Sequence, residues 1–211
     1  MGDDTMAGML DAMGADHLSS IEGGALFDMV EGMGGEHFMT MGNDSAFGMF
    51  EAMGTDLVLE MEGGTMAGMF DAMGADHLGA IEGGELFDMV EGMSGEHFMT
   101  MGNDSAFGMF EAMGTDLVLE MEGGTMAGMF DAMGGDLIQD LGMERSFEAF
   151  EAMGSESFAG MGGYTMAGMF DAMGGDHLSS IHGGALLDMV KGMSRELFLM
   201  VVQRSPPRVS E

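Results

Sequence analysis

Three residue types in this sequence could do chemistry: 33 methionines, 37 carboxylates and 6 histidines, nearly all of them within a repeating register. Thioethers are soft ligands that select Cu(I). Met6, Met9 and Met13 fall along one helical face, and Met39-Thr40-Met41 brings two thioethers together locally. His37 with Met41, and His97 with Met101, stand at helical i, i+4 spacing. Carboxylates are hard ligands suited to Ca²⁺, which takes several oxygens at once. Asp71 and Asp76 flank a glycine turn, and Glu91 with Glu96 and Glu111 with Asp116 repeat the arrangement. Stacked units would align these acids into ladders. The candidate metal ligands are therefore carboxylates for Ca²⁺ or Met and His for Cu(I), and no resident cofactor is implied.

Each type also has a plainer reading, which the spacing favours. Methionine is an unbranched filler for a core that must tolerate small misfits. A recurrent acid is most simply a solvated face, and no EF-hand loop or glycine-rich calcium nonapeptide occurs. His17, His37, His77, His97 and His177 share one repeat position that Leu57 and Leu117 also occupy, which favours packing over a ladder of titrating imidazoles. There is no nucleophile motif, phosphate loop or HExxH. Paired acids that recur in every unit lack the unlike environments that acid–base catalysis needs. The chain reads as non-enzymatic.

The elements that must position these groups come from a 20-residue unit. Units start at residues 5, 25, 45, 65, 85, 105, 125, 145, 165 and 185. Position nine is always Met, from Met13 to Met193, and position ten is Gly except at Ser94 and Ser194. Position seven is acidic until Lys191, and position twelve is acidic throughout. Three variants of the unit, A, B and C, cycle to give a 60-residue super-repeat. Residues 5–64 and 65–124 differ only at Leu10/Phe70, Ser19/Gly79, Ser20/Ala80, Ala25/Glu85 and Gly34/Ser94. After residue 124 the order breaks, and an A-type unit is followed by a C-like one. Residues 1–4 match the close of a B unit at 41–44, as a remnant of a preceding repeat would. Ten repeats then fill 5–204, and a tail at 205–211 carries the two prolines. This layout fits a piece of a longer array as well as a complete small protein.

Within Thr65–Gly84, apolar residues at positions 2, 3, 5, 6 and 9 form a helical stripe, and positions 13 or 14 and 17 form a second. The spacing predicts two helices of about eight residues per unit, each below the length of about 12–15 residues that is marginally stable alone. Asp or Glu at position twelve suits the start of the second helix. Gly-Gly or Asn-Asp at positions 19 and 20 is expected to stop it, and Thr or Ser at position one to cap the next. Glycine inside the first helix costs about 1 kcal/mol relative to Ala, a cost that close backbone approach could offset. The expected fold is an all-α, short-helix solenoid. The alternative is a β-solenoid with 20-residue coils, disfavoured because Val, Ile and Thr are scarce. The phrase Phe70-Asp-Ala-Met-Gly-Ala-Asp76 resembles short-helix superhelical domains such as the N-terminal domain of MgtE-type magnesium transporters. Helix lengths and glycine content differ from that family, and no function is carried over.

Composition narrows the partners. An apolar content of 46% argues for a packed chain. The longest apolar run, Leu197 to Val202, is too short to span a bilayer, and no secretory signal is visible. A cytoplasmic location is the default expectation. With no Cys there is no disulfide framework and no thiolate site. Net charge is −32, and residues 1–144 contain no Lys or Arg. Nucleic acid is a poor partner for such a surface. A basic protein, or another copy of the chain, is a better one. The expectation is a non-catalytic acidic scaffold for protein contact, with a low-specificity metal binder as the alternative.

Self-repulsion at this charge should make stability depend on salt. Like charges crowd more closely in the compact state than in the unfolded one, so screening favours folding. The melting temperature, followed by circular dichroism at 222 nm, is expected to rise from low salt to molar NaCl. A flat response would mean the acidic face does not couple to folding.

Overall fold

The computed structural model describes residues 2–178 and Ile181. The unit at 185–204, His182 and the tail at 205–211 lie outside the described residues, as do the side chains of residues 175–180. The described chain is all-α, and no strand occurs in it, so the β-solenoid alternative has no support.

The helices are unequal, which corrects the expectation of two eight-residue helices. In the first A and C units a long helix, α1 (Asp3–Met13) or α5 (Asn43–Met53), is followed by a single turn, α2 (Ala15–Leu18) or α6 (Thr55–Val58). The first B unit carries α3 (Gly23–Val30) and α4 (Gly35–Phe38). Further along, the two segments of the A, C and C-like units run together across a kink, in α7 (Gly63–Leu78), α10 (Asn103–Val118), α11 (Gly123–Leu141), α12 (Met143–Gly160) and α13 (Gly163–Leu178). The second B unit stays divided into α8 (Gly83–Glu91) and α9 (Gly95–Phe98).

The division falls at position ten for a steric reason. Gly14, Gly54 and Gly74 have φ of 72°, 74° and 73° there, with ψ above 160°. That region is open to glycine and almost closed to other residues. B units turn differently: φ is −74° at Gly34 and −97° at Ser94. A side chain is tolerated there, which is why Ser94 stands in a B unit.

The ends of the helices also differ from expectation. Gly23-Gly24, Asn43-Asp44 and Gly63-Gly64 begin the next helix instead of stopping the last. The N-cap is the residue before them, Glu22, Gly42 or Glu62, in extended backbone. A glutamate there complements the positive end of the helix dipole. Thr65 and Ser45 lie inside their helices and cap nothing. Their hydroxyls donate to distant carbonyls instead: Thr65 Oγ1 to Met33 O at 3.1 Å, and Ser45 Oγ to Asp11 O at 3.5 Å.

The core follows the helical stripe. Met33, Met53, Met73, Met93, Met113, Met133, Met153 and Met173, all at position nine, are buried. Phe50, Phe70, Phe110, Phe130, Phe150 and Phe170 join them from position six, and Leu18, Phe38, Val58 and Leu78 from position fourteen. Burying one such side chain contributes about 1.5–3 kcal/mol. No four-residue helix could hold this arrangement alone.

Contacts between units do not follow the 20-residue period. Hydrogen bonds that join them span 30 to 34 residues. The closest packing joins position eleven of one unit to position four of a unit further on, thirty-three residues later. Gly35 touches Gly68, Gly95 touches Gly128 and Gly135 touches Gly168, main chain against main chain. Ala15 and Ala75 lie as closely on Gly48 and Gly108, where an added Cβ would meet their Cβ atoms at 2.7 and 2.6 Å. The sequence keeps this pairing. Wherever position four is Gly, its partner is Gly or Ala; where position four is Asp88 or Glu148, the residue thirty-three before it is Thr55 or Thr115. The same pair of residue types recurs after 60 residues, the length of the super-repeat: Ala15 with Gly48 returns as Ala75 with Gly108, and Gly35 with Gly68 as Gly95 with Gly128.

This packing predicts opposite outcomes for one substitution at one repeat position. Gly68→Ala places a Cβ against the Gly35 main chain, which cannot yield, and should cost about 1–3 kcal/mol. Gly8 is the equivalent residue in α1, and an added Cβ there would meet nothing within 4 Å. Gly8→Ala should stabilise by about 0.5–1 kcal/mol through helix propensity and backbone entropy. Urea midpoints of the two variants test the difference in sign.

Candidate functional site

Close main-chain packing leaves grooves, because a glycine floor carries no side chains to fill the space above it. One groove runs over Gly35 and Gly68, with Glu36, Met39 and Glu62 along it and a volume of about 380 Å³. A second runs over Gly95 and Gly128, with Glu96, Met99 and Glu122 and a volume of about 570 Å³. The two are the same site sixty residues apart: every residue named in the first has its counterpart in the second. Met39 and Met99 are 43% and 59% exposed, unusual for large apolar side chains in a chain whose other thioethers are mostly buried. Each groove thus pairs an accessible thioether with flanking carboxylates.

A further groove, about 510 Å³, lies between the first A unit and the next C unit. Asp16, Asp44 and Glu51 line it, with Phe47 and His77. The His77 ring stacks on Phe47 with centroids 4.5 Å apart and planes 11° apart, and its Nε2 lies 3.0 Å from Asp44 Oδ1. At this histidine, packing and a polar contact coexist.

The candidate ligands are scattered, and several already have structural partners. Asp71 Oδ1 accepts the N–H of Gly102, the N-cap of α10, at 2.7 Å. Asp11 and Asp131 do the same for Gly42 and Gly162, each at 2.8 Å. This recurrent bond across thirty-one residues was hidden in the sequence, where Asp71 looked like half of an acid pair. Its companion Asp76 is exposed beyond the kink at Gly74. Glu91, Glu96 and Asp116 are exposed, and Glu111 is paired with Arg145. Helices α4 and α9 end at Phe38 and Phe98, so His37 and Met41, like His97 and Met101, share no helical face. Met41 and Met101 are buried at 6%. His37 is half-buried, with Nε2 3.4 Å from Asp4 Oδ1, and His97 lies against Gly63. Among the described residues no three His, Cys, Asp or Glu side chains converge as a metal would need. No helix among them is long and apolar enough to cross a membrane.

Arg145 is the contact that the sequence concealed. It is the one Lys or Arg among the described residues. Its Nη2 pairs with Glu111 Oε1, its Nε donates to Thr115 Oγ1 at 3.1 Å, and its guanidinium carbon stands 5.0 Å from the centre of the Phe110 ring. A break in acidic composition was the only available signal.

The chain matches no protein-family model, no curated protein and no solved structure. The residues themselves therefore carry the functional reading.

The two acids of the Asp71 and Asp76 pair should separate on substitution. Asp71→Ala removes a charge-assisted bond at a helix start and should cost about 1 kcal/mol. Asp76→Ala alters an exposed side chain and should stay within about 0.5 kcal/mol of the parent. Thermal melts of the two variants check this. Equal losses would mean the cap contributes nothing.

Proposed function

We propose that this protein is a non-catalytic acidic scaffold, a short-helix solenoid whose repeated grooves dock basic protein segments. The observation that carries the reading is recurrence: the groove of Glu36, Met39 and Glu62 returns as Glu96, Met99 and Glu122 sixty residues later. Repeat proteins present one surface many times, and binding surfaces built in this way scale with repeat number. A thioether is an adaptable apolar contact, and the flanking carboxylates complement Lys or Arg. The matching occupant is an amphipathic basic segment with apolar residues between its cations. The net charge of −32 disfavours nucleic acid as the occupant.

Removal of residues 65–124 keeps the thirty-three-residue pairing in register, because it deletes one whole super-repeat. Calorimetric titration with an amphipathic Lys/Arg peptide should then give a lower stoichiometry than the full chain. Unchanged stoichiometry, or no binding at about 0.15 M salt where Debye screening acts over about 8 Å, would overturn the scaffold reading. Parallel titrations with Ca²⁺ and Cu(I) test the cation-binding alternative, which requires heats that grow with unit number.

A further inference from the structure

Residues 45–64 and 105–124 are identical in sequence, yet only the second copy has a cation bound to it. In that copy the Arg145 guanidinium is held by the Glu111 carboxylate, the Thr115 hydroxyl and the face of Phe110. Counting back sixty residues, the first copy offers Glu51, Thr55 and Phe50 in the same register. The residue in the place of Arg145 is Glu85. Helix α6, which carries Thr55, packs on α8, which carries Glu85, as α10 packs on α12 around Arg145. Glu51 and Glu85 are both exposed, and Phe50 is 6% accessible where Phe110 under its arginine is fully covered. Where the second copy has an acid and a base, the first has two acids.

We propose that Glu51, Glu85, Thr55 and Phe50 form a binding site for an arginine side chain of a partner protein, and that Arg145 is the chain's own occupant of the equivalent site. The inference rests on the scaffold reading and specifies the residue its partner must carry. A guanidinium suits the set because it can donate to a carboxylate and a hydroxyl in one plane while its face lies on a ring. Glu51 also lines the 510 Å³ groove that holds Asp16 and Asp44, so an incoming arginine meets further carboxylates beside its site. The ammonium of lysine lacks the planar fork and should bind less well.

The test uses the full chain and a short oligoarginine peptide, with oligolysine and oligocitrulline of the same length as comparators, at about 0.15 M salt. Binding is expected in the order arginine, lysine, citrulline. Glu51→Gln should weaken oligoarginine binding by about tenfold, the fold-change of one hydrogen bond to a charged group. Glu85→Arg should do likewise by filling the site from within, and should also raise the melting temperature. Two controls change charge equally at one exposed position on α12, a helix not packed on α5, α6 or α8: Glu156→Gln matches Glu51→Gln, and Glu156→Arg matches Glu85→Arg. The controls should shift affinity by less than about twofold, since an exposed charge that does not touch the bound guanidinium is largely screened at this salt. Equal losses in site and control variants would overturn the arginine site and leave the scaffold reading standing. Failure of oligoarginine to bind the unaltered chain would overturn both.

Discussion

Main-chain contact between residues thirty-three apart is the constraint on which the rest of this structure depends. Gly35 on Gly68, and its repeats at Gly95 on Gly128 and Gly135 on Gly168, set how closely one helix can approach the next. Helices of four to eleven residues have little stability of their own, so their persistence requires that spacing. Each interior glycine costs about 1 kcal/mol of helix propensity. Dispersion between surfaces brought into close contact offsets it, because packing attraction falls steeply with a gap of even half an ångström. Methionine follows from the same constraint. The A, B and C variants differ in the core residue at position six, as in Phe70, Val90 and Phe110, and an unbranched thioether at the shared position nine adapts to each.

The fold class was legible because positions 5, 6 and 9 carry apolar residues in nearly every unit, a spacing that only a helix turns to one side. Met73 and Phe70 could be placed in the core from that pattern, and the packing role of the glycines could be anticipated from their cost. Helix ends were less legible. Gly-Gly and Asn-Asp are usual stop signals, but here the chain has already turned three or four residues earlier, so Gly23-Gly24 and Asn43-Asp44 start helices. Thr65 has the right chemistry for a cap, and its hydroxyl is engaged by Met33 O across the unit boundary instead.

The pairing rule was written in the sequence at a distance that a 20-residue reading does not inspect. Ala15 with Gly48, Gly35 with Gly68 and Thr55 with Asp88 become a pattern only once an offset of thirty-three is known. It also accounts for the broken order after residue 124. Unit 125 resembles an A unit in its first half, yet has Gly135 where Ala15 and Ala75 stand in the others. Its partner is Gly168 of an A unit, as Gly35 of a B unit partners Gly68. Half of the unit answers to one neighbour and half to another, so a unit can be a hybrid and still pack. The acids divide in a similar way: Asp11, Asp71 and Asp131 hold helix starts, while the position-twelve acids Asp16, Asp56 and Asp116 face water.

The methionine core has a consequence for the chain's redox chemistry. Oxidation turns an apolar thioether into a polar, chiral sulfoxide and spoils the packing that thioether supplied. Met9, Met39, Met99 and Met143 are open to peroxide in the folded chain, whereas Met73 and Met133 have no accessible surface. Oxidant would reach the second group only when units part from one another. Sulfoxide at the exposed sites would make the lips of the two grooves polar and leave the fold standing. Sulfoxide at Met73 or Met133 would trap the opened form, so the order in which methionines oxidise is a chemical record of how often each part of the chain comes apart.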